Sequence, residues 1–168
     1  LRLNDIGYFI PVPLIKRFIQ DQRDGHYDGV PEIGIQTSSL LNRYQRKSLG
    51  LSDESGGVLV ERIIPRSSAE GILEEGDVLL GVAGKSIDRA GMVHFGEHRV
   101  DFFIEAEHLQ VGDSLFFKVW RDRSLLNLQI TLKPPPFSAE LRNAYDILPE
   151  YLIAGGLVLI ALNRDYLQ

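Results

Sequence analysis

The chain has 168 residues, 44% of them apolar, and a formal net charge of −5 with acidic and basic residues interspersed. This length and composition suit one full domain with a hydrophobic core plus additional pieces, and they exclude a strongly basic surface for nucleic acid or anionic membranes. The absence of cysteine excludes disulfides and thiolate metal sites, and the longest apolar run, residues 151–162, is shorter than the roughly 20 residues of a membrane-spanning helix.

The N-terminal part of the chain predicts an extended piece, a helix and a loop. Residues 7–11 are extended, and residues 12–20 are helical, because Pro13 suits a first helical turn and apolar residues follow at helical spacing. Glycines and a proline among charged residues make 21–31 a linker. Residue 1 is a leucine with no signal-like segment before it, so we expect a piece of a longer protein.

Residues 32–136 predict one domain that begins with a strand, a short helix and a second strand. The first strand covers residues 33–37, the helix covers 40–49 and the apolar second strand covers 58–64. Three consecutive prolines at 134–136 end the domain stiffly.

The most informative stretch is residues 67–87. Ser67 or Ser68 can cap a short helix, and the glycine of Gly76-Asp77 can take the positive φ that ends it. A tight turn at Gly76-Asp77, an apolar strand, a hairpin turn at Gly84-Lys85 and a second strand complete the stretch.

Further along, residues 89–98 predict a loop because they contain two glycines, and residues 100–110 predict a helix with two apolar stripes. Such a helix can face a core and a groove together. One stripe consists of Phe102, Ala106 and Leu109, and the other consists of Val100 and Ile104.

The last part of the chain predicts two strand pairs. Strands 115–120 and 126–132 form a hairpin with a turn at 121–124, since apolar and polar residues alternate cleanly in the second strand. Residues 137–168 begin a new unit, in which 151–162 are interpreted as paired short strands around a glycine bend.

Three motifs could carry chemistry, and each has a plainer interpretation. Ser55-Gly56-Gly57 copies a serine-protease nucleophile turn but lacks its partners and its context, which favours a simple turn. Gly84-Lys85-Ser86 lacks the earlier glycine of a phosphate-binding loop, so Lys85 is interpreted as an exposed turn residue. His94 and His98 match an inverted zincin pattern, but the neighbouring glycines favour a solvated loop.

The order strand, helix, strand, helix, hairpin, helix, hairpin, together with Gly76-Asp77 and Gly84-Lys85, resembles the permuted PDZ domains of HtrA/Deg-type serine proteases. Residues 6–13 resemble the end of that family's trypsin-like domain, and 31–35 resemble its apolar-Gly-apolar carboxylate-binding loop. Residues 151–162 resemble the opening of the second PDZ-like domain of plant-type Deg proteases.

This resemblance implies an α+β fold: a PDZ-like, partly open β-barrel or sandwich with two flanking helices and short N- and C-terminal extensions. The implied domains are the tail of a protease domain, a linker, a PDZ domain and the start of a second PDZ-like domain. In chain order they cover 1–21, 22–31, 32–136 and 137–168.

The resemblance also implies recognition rather than catalysis. The family's catalytic triad lies upstream of the matched segment, so this chain by itself should be catalytically silent and need no cofactor. The implied partners are peptides or unfolded protein segments, the protease domain of its own chain and, through its terminal strands, a second copy. Neither nucleic acid nor a membrane span is expected, and the compartment that the resemblance suggests is the cell envelope.

By this resemblance, a peptide adds as a strand beside residues 33–37, with its carboxylate on the backbone N–H groups of Ile33, Gly34 and Ile35. Gly34 lets the backbone approach the ligand without a Cβ, and the last side chain enters an apolar pocket. Glu32 places a negative charge nearby, and at ~6 Å with an effective dielectric constant near 20 the repulsion is about 3 kcal/mol. The expected site residues are Glu32, Ile33, Gly34, Ile35, Gln36, Thr37, Val100 and Ile104.

Two other functions stay open on the sequence. The first is an assembly module whose groove and terminal strands pair with other subunits, because a truncated apolar strand pair exposes its edges. The second is a metal enzyme centred on His94 and His98.

Overall fold

A computed structural model of the chain describes residues 10, 12–25, 27–136 and 150–160. Most of the motif expected at 6–13, and the segments 137–149 and 161–168, therefore lie outside the described residues. The chain divides into two compact units, with the boundary between Pro134 and Pro135. Within the described ranges, no helix is long and apolar enough to cross a membrane.

Among its described residues, the first unit contains three helices and eight strands. The helices are α1 (Val12–Asp21), α2 (Arg43–Ser48) and α3 (Ile104–Glu107), and a 3-10 turn at Gln22–Asp24 follows α1. The strands are β1 (Ile35–Ser39), β2 (Val58–Ile63), β3 (Val78–Val82), β4 (Lys85–Ser86), β5 (Met92–Phe95), β6 (His98–Asp101), β7 (Ser114–Arg121) and β8 (Ser124–Thr131).

The main sheet is antiparallel, with the order β1-β2-β3-β7-β8, and β4 pairs with β3 beside it. Strands β5 and β6 form a separate hairpin. The main core contains Val60, Leu79 and Phe117, which are almost completely buried. A smaller cluster, which includes the buried Leu40 and Val78, lies on the opposite face, because Val78 and Leu79 are consecutive in β3. Side chains of β7 alternate between core and solvent, as the period of two along a strand requires. The fold is α+β with antiparallel sheets not closed into a barrel, which confirms the predicted class.

The second unit contains a hairpin of β9 (Tyr151–Ala154) and β10 (Leu157–Ile160). Gly155 and Gly156 form its turn, and both have positive φ. The predicted pair of short strands around a glycine bend is therefore confirmed.

Several other predicted elements are confirmed. Helix α1 follows the predicted spacing, and α2 begins at the cap Asn42, whose Oδ1 accepts a hydrogen bond from the Tyr44 N–H at 2.9 Å. Strand β2 lies where the apolar run predicted it, and the β7–β8 hairpin lies where the alternation in its second strand predicted it.

The helix predicted at the start of the 67–87 stretch does not form. Its serines bond to distant backbone groups instead of capping: the Ser67 hydroxyl donates to the Gly34 carbonyl at 3.2 Å, and the Ser68 hydroxyl donates to the Glu32 carbonyl at 2.5 Å. Gly71 has φ +77°, which an α-helix cannot accommodate. The segment is a series of turns.

The loop predicted at 89–98 and the helix predicted at 100–110 are also wrong. Residues 92–101 form the β5–β6 hairpin, in which Val93 pairs with Val100, and only one helical turn, α3, follows. Burial explains the difference, because Val93 is fully enclosed in the core and the strand pairing satisfies its backbone. Val100 and Ile104 therefore do not share a helix.

The turn predicted at Gly84-Lys85 lies one residue earlier. Ala83 and Gly84 form it, with φ of +48° and +78°, the two consecutive positive values of a tight hairpin turn. Lys85 consequently belongs to β4.

Candidate functional site

Strand β1 lies at one edge of the main sheet. Among the described residues, β1 pairs with β2 only. The Gly34 carbonyl accepts a hydrogen bond from the Ile64 N–H at 2.9 Å, and Ile35 lies opposite Ile63. In an antiparallel ladder this makes Ile35 a non-hydrogen-bonded position, so its N–H and C=O point away from β2. A further strand can bond there.

Three consecutive carbonyls before this edge are anchored in the domain. The Glu32 carbonyl accepts from the Ser68 hydroxyl at 2.5 Å, and the Ile33 carbonyl accepts from the Ala69 N–H at 3.1 Å. The Gly34 carbonyl accepts from the Ile64 N–H and from the Ser67 hydroxyl.

These anchors determine where the next three amides point. In a trans peptide the N–H of one residue points opposite to the carbonyl of the residue before it, and no peptide bond described here is cis. The N–H groups of Ile33, Gly34 and Ile35 are therefore directed away from the groups that hold the carbonyls. No acceptor for the first two is found in the described part of the chain. Successive free N–H groups of this kind form an anion-binding concavity.

Gly34 is required by its packing inside the domain. Its φ is +76°, and a Cβ there would lie 2.1 Å from the Cβ of Ser67. The missing side chain thus makes room for Ser67, whereas the sequence suggested that it makes room for a ligand.

Glu32 is tied to the end of the sheet through its backbone. Its N–H donates to the Lys133 carbonyl at 3.0 Å, in an isolated antiparallel bridge, and its side chain is exposed. The backbone of Glu32 is therefore occupied, while its carboxylate remains a negative charge next to the free amides.

The apolar residues expected to line a pocket differ in their exposure. Ile33 and Ile35 are only 1% and 7% exposed and belong to the core, so they can form at most the floor of a pocket. Val100 packs against the same core from β6. Ile104, in α3, is half-buried and retains accessible surface. On β1, Gln36 is exposed and Thr37 is half-buried.

Helix α3 is held by an ion pair that the sequence analysis missed. Lys85 Nζ lies 2.6 Å from Glu105 Oε1, and the Glu105 side chain is almost completely buried. The same ammonium lies 4.7 Å from the ring centroid of Phe95, a cation–π geometry. Lys85 is thus not a free turn residue, and its partner 20 positions away has no signature in the sequence.

The Gly76-Asp77 motif has a comparable long-range partner. Asp77 is fully buried and receives two hydrogen bonds from the Arg121 guanidinium, at 2.7 and 2.8 Å. These bonds raise the pKa of Arg121 further. Asp77 therefore holds the start of β3 to the end of β7.

The motifs weighed as catalytic or metal-binding lack the necessary geometry. Ser55 Oγ lies 2.8 Å from Ser52 Oγ, and no histidine contacts it within the described residues. His94 lies opposite Arg99 in the β5–β6 hairpin and His98 lies opposite Phe95, so the two imidazoles occupy opposite faces. Among the residues that the structure describes, no group of three or more His, Cys, Asp and Glu residues could hold a metal ion.

The chain is similar over almost its whole length to Do-like proteases of Arabidopsis thaliana. It is 31% identical over 166 residues to the mitochondrial Do-like 11 protein, 29% over 168 residues to mitochondrial Do-like 4 and 29% over 171 residues to chloroplastic Do-like 2. Each match covers 98% of this chain but only 30%, 32% and 27% of the respective relative. No protein-family model matches the chain.

Among solved structures, the HtrA-type protease AlgW with a decapeptide superposes with a TM-score of 0.50 at 23% identity, covering 76% of this chain and 37% of that one. The PDZ domain of HtrA3 matches 61% of the chain with a TM-score of 0.44.

The permuted antiparallel sheet with its open first strand defines a PDZ-like domain. The chain carrying it is related to the Deg/HtrA-like proteases, as the sequence analysis predicted, and spans about 30% of the length of the relatives it matches.

Proposed function

We propose that this domain is a peptide-recognition module of a longer Deg/HtrA-like serine endopeptidase. A peptide adds as a strand to the open edge of β1, and its C-terminal carboxylate binds the N–H groups of Ile33, Gly34 and Ile35. The observation that carries the proposal is the set of three anchored carbonyls, which leaves three adjacent amides free beside an unpaired strand.

The chemistry of the edge suits an extended peptide. Main-chain groups of the peptide replace water on the outward N–H and C=O of Ile35, while backbone amides without a formal charge hold the carboxylate. Ile104 offers apolar surface to the terminal side chain, and the Glu105–Lys85 ion pair holds the helix that presents it. Glu32 disfavours additional acidic groups near the peptide terminus, because like charges repel at short range.

The solved proteins of similar fold support this direction. The structures of the HtrA-type protease AlgW were solved with a decapeptide and with a tripeptide.

The test is an array of C-terminal heptapeptides, followed by calorimetry with the strongest binder as free acid and as C-terminal amide. We expect the amide to bind at least tenfold more weakly, because it loses the charge-assisted hydrogen bonds. Ile104→Ser should weaken binding of peptides with an apolar last residue, whereas Leu125→Ser, an equally apolar change on β8, should leave affinity unchanged. Equal affinity of acid and amide, or no binder in the array, contradicts the proposal.

One observation favours a second candidate function, assembly. Seven apolar side chains of the β9–β10 hairpin are exposed: Tyr151, Leu152, Ile153, Leu157, Val158, Leu159 and Ile160. Two short apolar strands with open edges are not independently stable in water, so they pack against something else. We propose a second copy of the chain as that partner.

A further inference from the structure

A cavity of about 260 Å³ lies against α1, and none of its described lining residues belongs to β1. Its apolar lining includes Leu14 and Phe18 of α1 and, from the segment that follows, Tyr27 and Val30. These side chains are partly exposed, so the cavity is accessible from solvent. The rings of Phe18 and Tyr27 are 5.5 Å apart and form one wall.

Arg17 also lines this cavity, and it is only 6% exposed. Its Nη1 donates to the Gly29 carbonyl at 3.3 Å, and its buried Nε has no hydrogen-bond partner among the described residues. Among the carboxylates whose side chains the structure describes, which exclude Asp24, none forms an ion pair with it. Asp21, one helical turn further on, accepts from the Gly29 N–H at 3.3 Å instead.

A buried guanidinium without a counterion is unfavourable, because burial removes its hydration and the long hydrogen bond to Gly29 replaces only part of it. Arginine commonly lays its aliphatic part on apolar surface while the charged end stays in water, but here the whole residue is enclosed. The attachment of α1 to the domain does not need the charge either. It uses the backbone carbonyl of Arg17, which accepts from Gln110 Nε2 at 3.2 Å.

We propose that this cavity binds an apolar carboxylate, with the anionic group paired to Arg17 and the apolar group against Phe18 and Tyr27. A guanidinium offers planar, paired donors that match a carboxylate. Pockets for small ligands usually have volumes of at least about 300 Å³. The cavity is somewhat smaller than this, so it suits one short apolar chain. Either a short free fatty acid or the last residue of an apolar peptide has this chemistry.

The test measures binding to the complete chain by NMR chemical-shift titration, with hexanoate, hexanamide and acetyl-Gly-Leu in its acid and amide forms. We expect the acids to perturb Leu14, Phe18 and Tyr27 and to bind at least tenfold more tightly than the amides. Arg17→Gln should abolish this difference, and Arg23→Gln, which removes an exposed charge from the neighbouring turn, should preserve it. Binding of hexanoate alone assigns the site to free acids, and binding of the dipeptide acid alone assigns it to peptide termini.

A thermal measurement separates a ligand site from a structural role for Arg17. Without ligand, Arg17→Gln should melt at the same temperature as the parent chain or above it, because it removes an unpaired buried charge. Leu14→Trp should fill the cavity and block binding while Arg17 remains. The proposal is overturned if no acid binds at millimolar concentration, if acids and amides bind alike, or if Arg17→Gln melts lower and retains binding.

Discussion

Gly34 and Ser67 pack so closely that a Cβ on Gly34 would lie 2.1 Å from the Cβ of Ser67 and 2.7 Å from its hydroxyl oxygen. The same hydroxyl donates to the Gly34 carbonyl. This contact orients the peptide units whose N–H groups form the proposed carboxylate site. Ser67 therefore fixes the backbone conformation of residues 32–35 from the side opposite to the proposed carboxylate site, without needing to contact a ligand itself.

The first prediction concerns Gly34→Ala. The positive φ alone disfavours an L-residue by roughly 1–2 kcal/mol, and the overlap with Ser67 adds roughly 1–3 kcal/mol. In urea unfolding, the free energy of unfolding of Gly34→Ala should be lower than that of the parent chain by the sum of these two contributions. Gly84→Ala is the matched control, since Gly84 has φ +78° with no atom near its Cβ position. It should lose only the free energy that the positive φ costs an L-residue. Equal losses in the two variants would mean that the Ser67 contact does not constrain the loop.

The second prediction concerns the buried Asp77. Asp77→Asn removes the charge that two Arg121 hydrogen bonds require, and we expect the free energy of unfolding to fall by about 3 kcal/mol. Asp53→Asn breaks an exposed pair with Arg43 and serves as the control, with no measurable change expected. A similar effect of both substitutions on the urea midpoint would refute the structural role of the Gly-Asp motif.

The third prediction concerns acid sensitivity at Asp88. Burial alone would raise the pKa of Asp88, but hydrogen bonds from the Met92 and Ala90 N–H groups and the Arg99 guanidinium outweigh it and lower the pKa. A carboxyl group whose pKa is lowered in the folded state stabilises the folded protein at pH values above its pKa in the unfolded chain, about 3.9. This contribution is lost as the pH falls through the pKa of the folded state.

The parent chain should therefore be more stable than Asp88→Asn by a constant free energy of unfolding above about pH 5, and this difference should shrink below about pH 4. Urea midpoints measured from pH 3 to 7 test this. Glu75→Gln, at an exposed position, controls for general charge effects. An advantage that stays constant down to pH 3 would show that Asp88 does not contribute through its ionised form.

The fourth prediction concerns the β9–β10 hairpin. A chain shortened to end at Pro136 should be monomeric in sedimentation, whereas the full chain should associate at tens of micromolar, because the shortened chain lacks the exposed apolar strands. Leu152 and Leu159 pair directly across the hairpin, so the double change to lysine should also give a monomer without shortening the chain. If the full chain sediments as a monomer at tens of micromolar, self-association through the β9–β10 hairpin is wrong.

Local patterns in the sequence determined much of this protein. The alternation in β8, the short helix within 40–49 and the turn glycines at 76 and 155–156 act over a few residues, where backbone sterics and side-chain period decide the outcome. They were sufficient to predict α1, most of the strands of the main sheet and, with the family resemblance, the relationship to Deg/HtrA-like proteases, but not the β5–β6 hairpin or the turns that follow β2.

Tertiary structure alone decided what the polar side chains do. The hydroxyl of Ser68 holds the Glu32 carbonyl 36 positions away, Glu105 pairs with Lys85 across 20 positions, and Arg121 reaches Asp77 across 44. Such contacts have no periodicity along the chain, because they depend on which elements the core brings together. The same dependence turned a predicted helix into the β5–β6 hairpin and enclosed Arg17, since burial of Val93 and of the guanidinium follows from packing and not from local propensity.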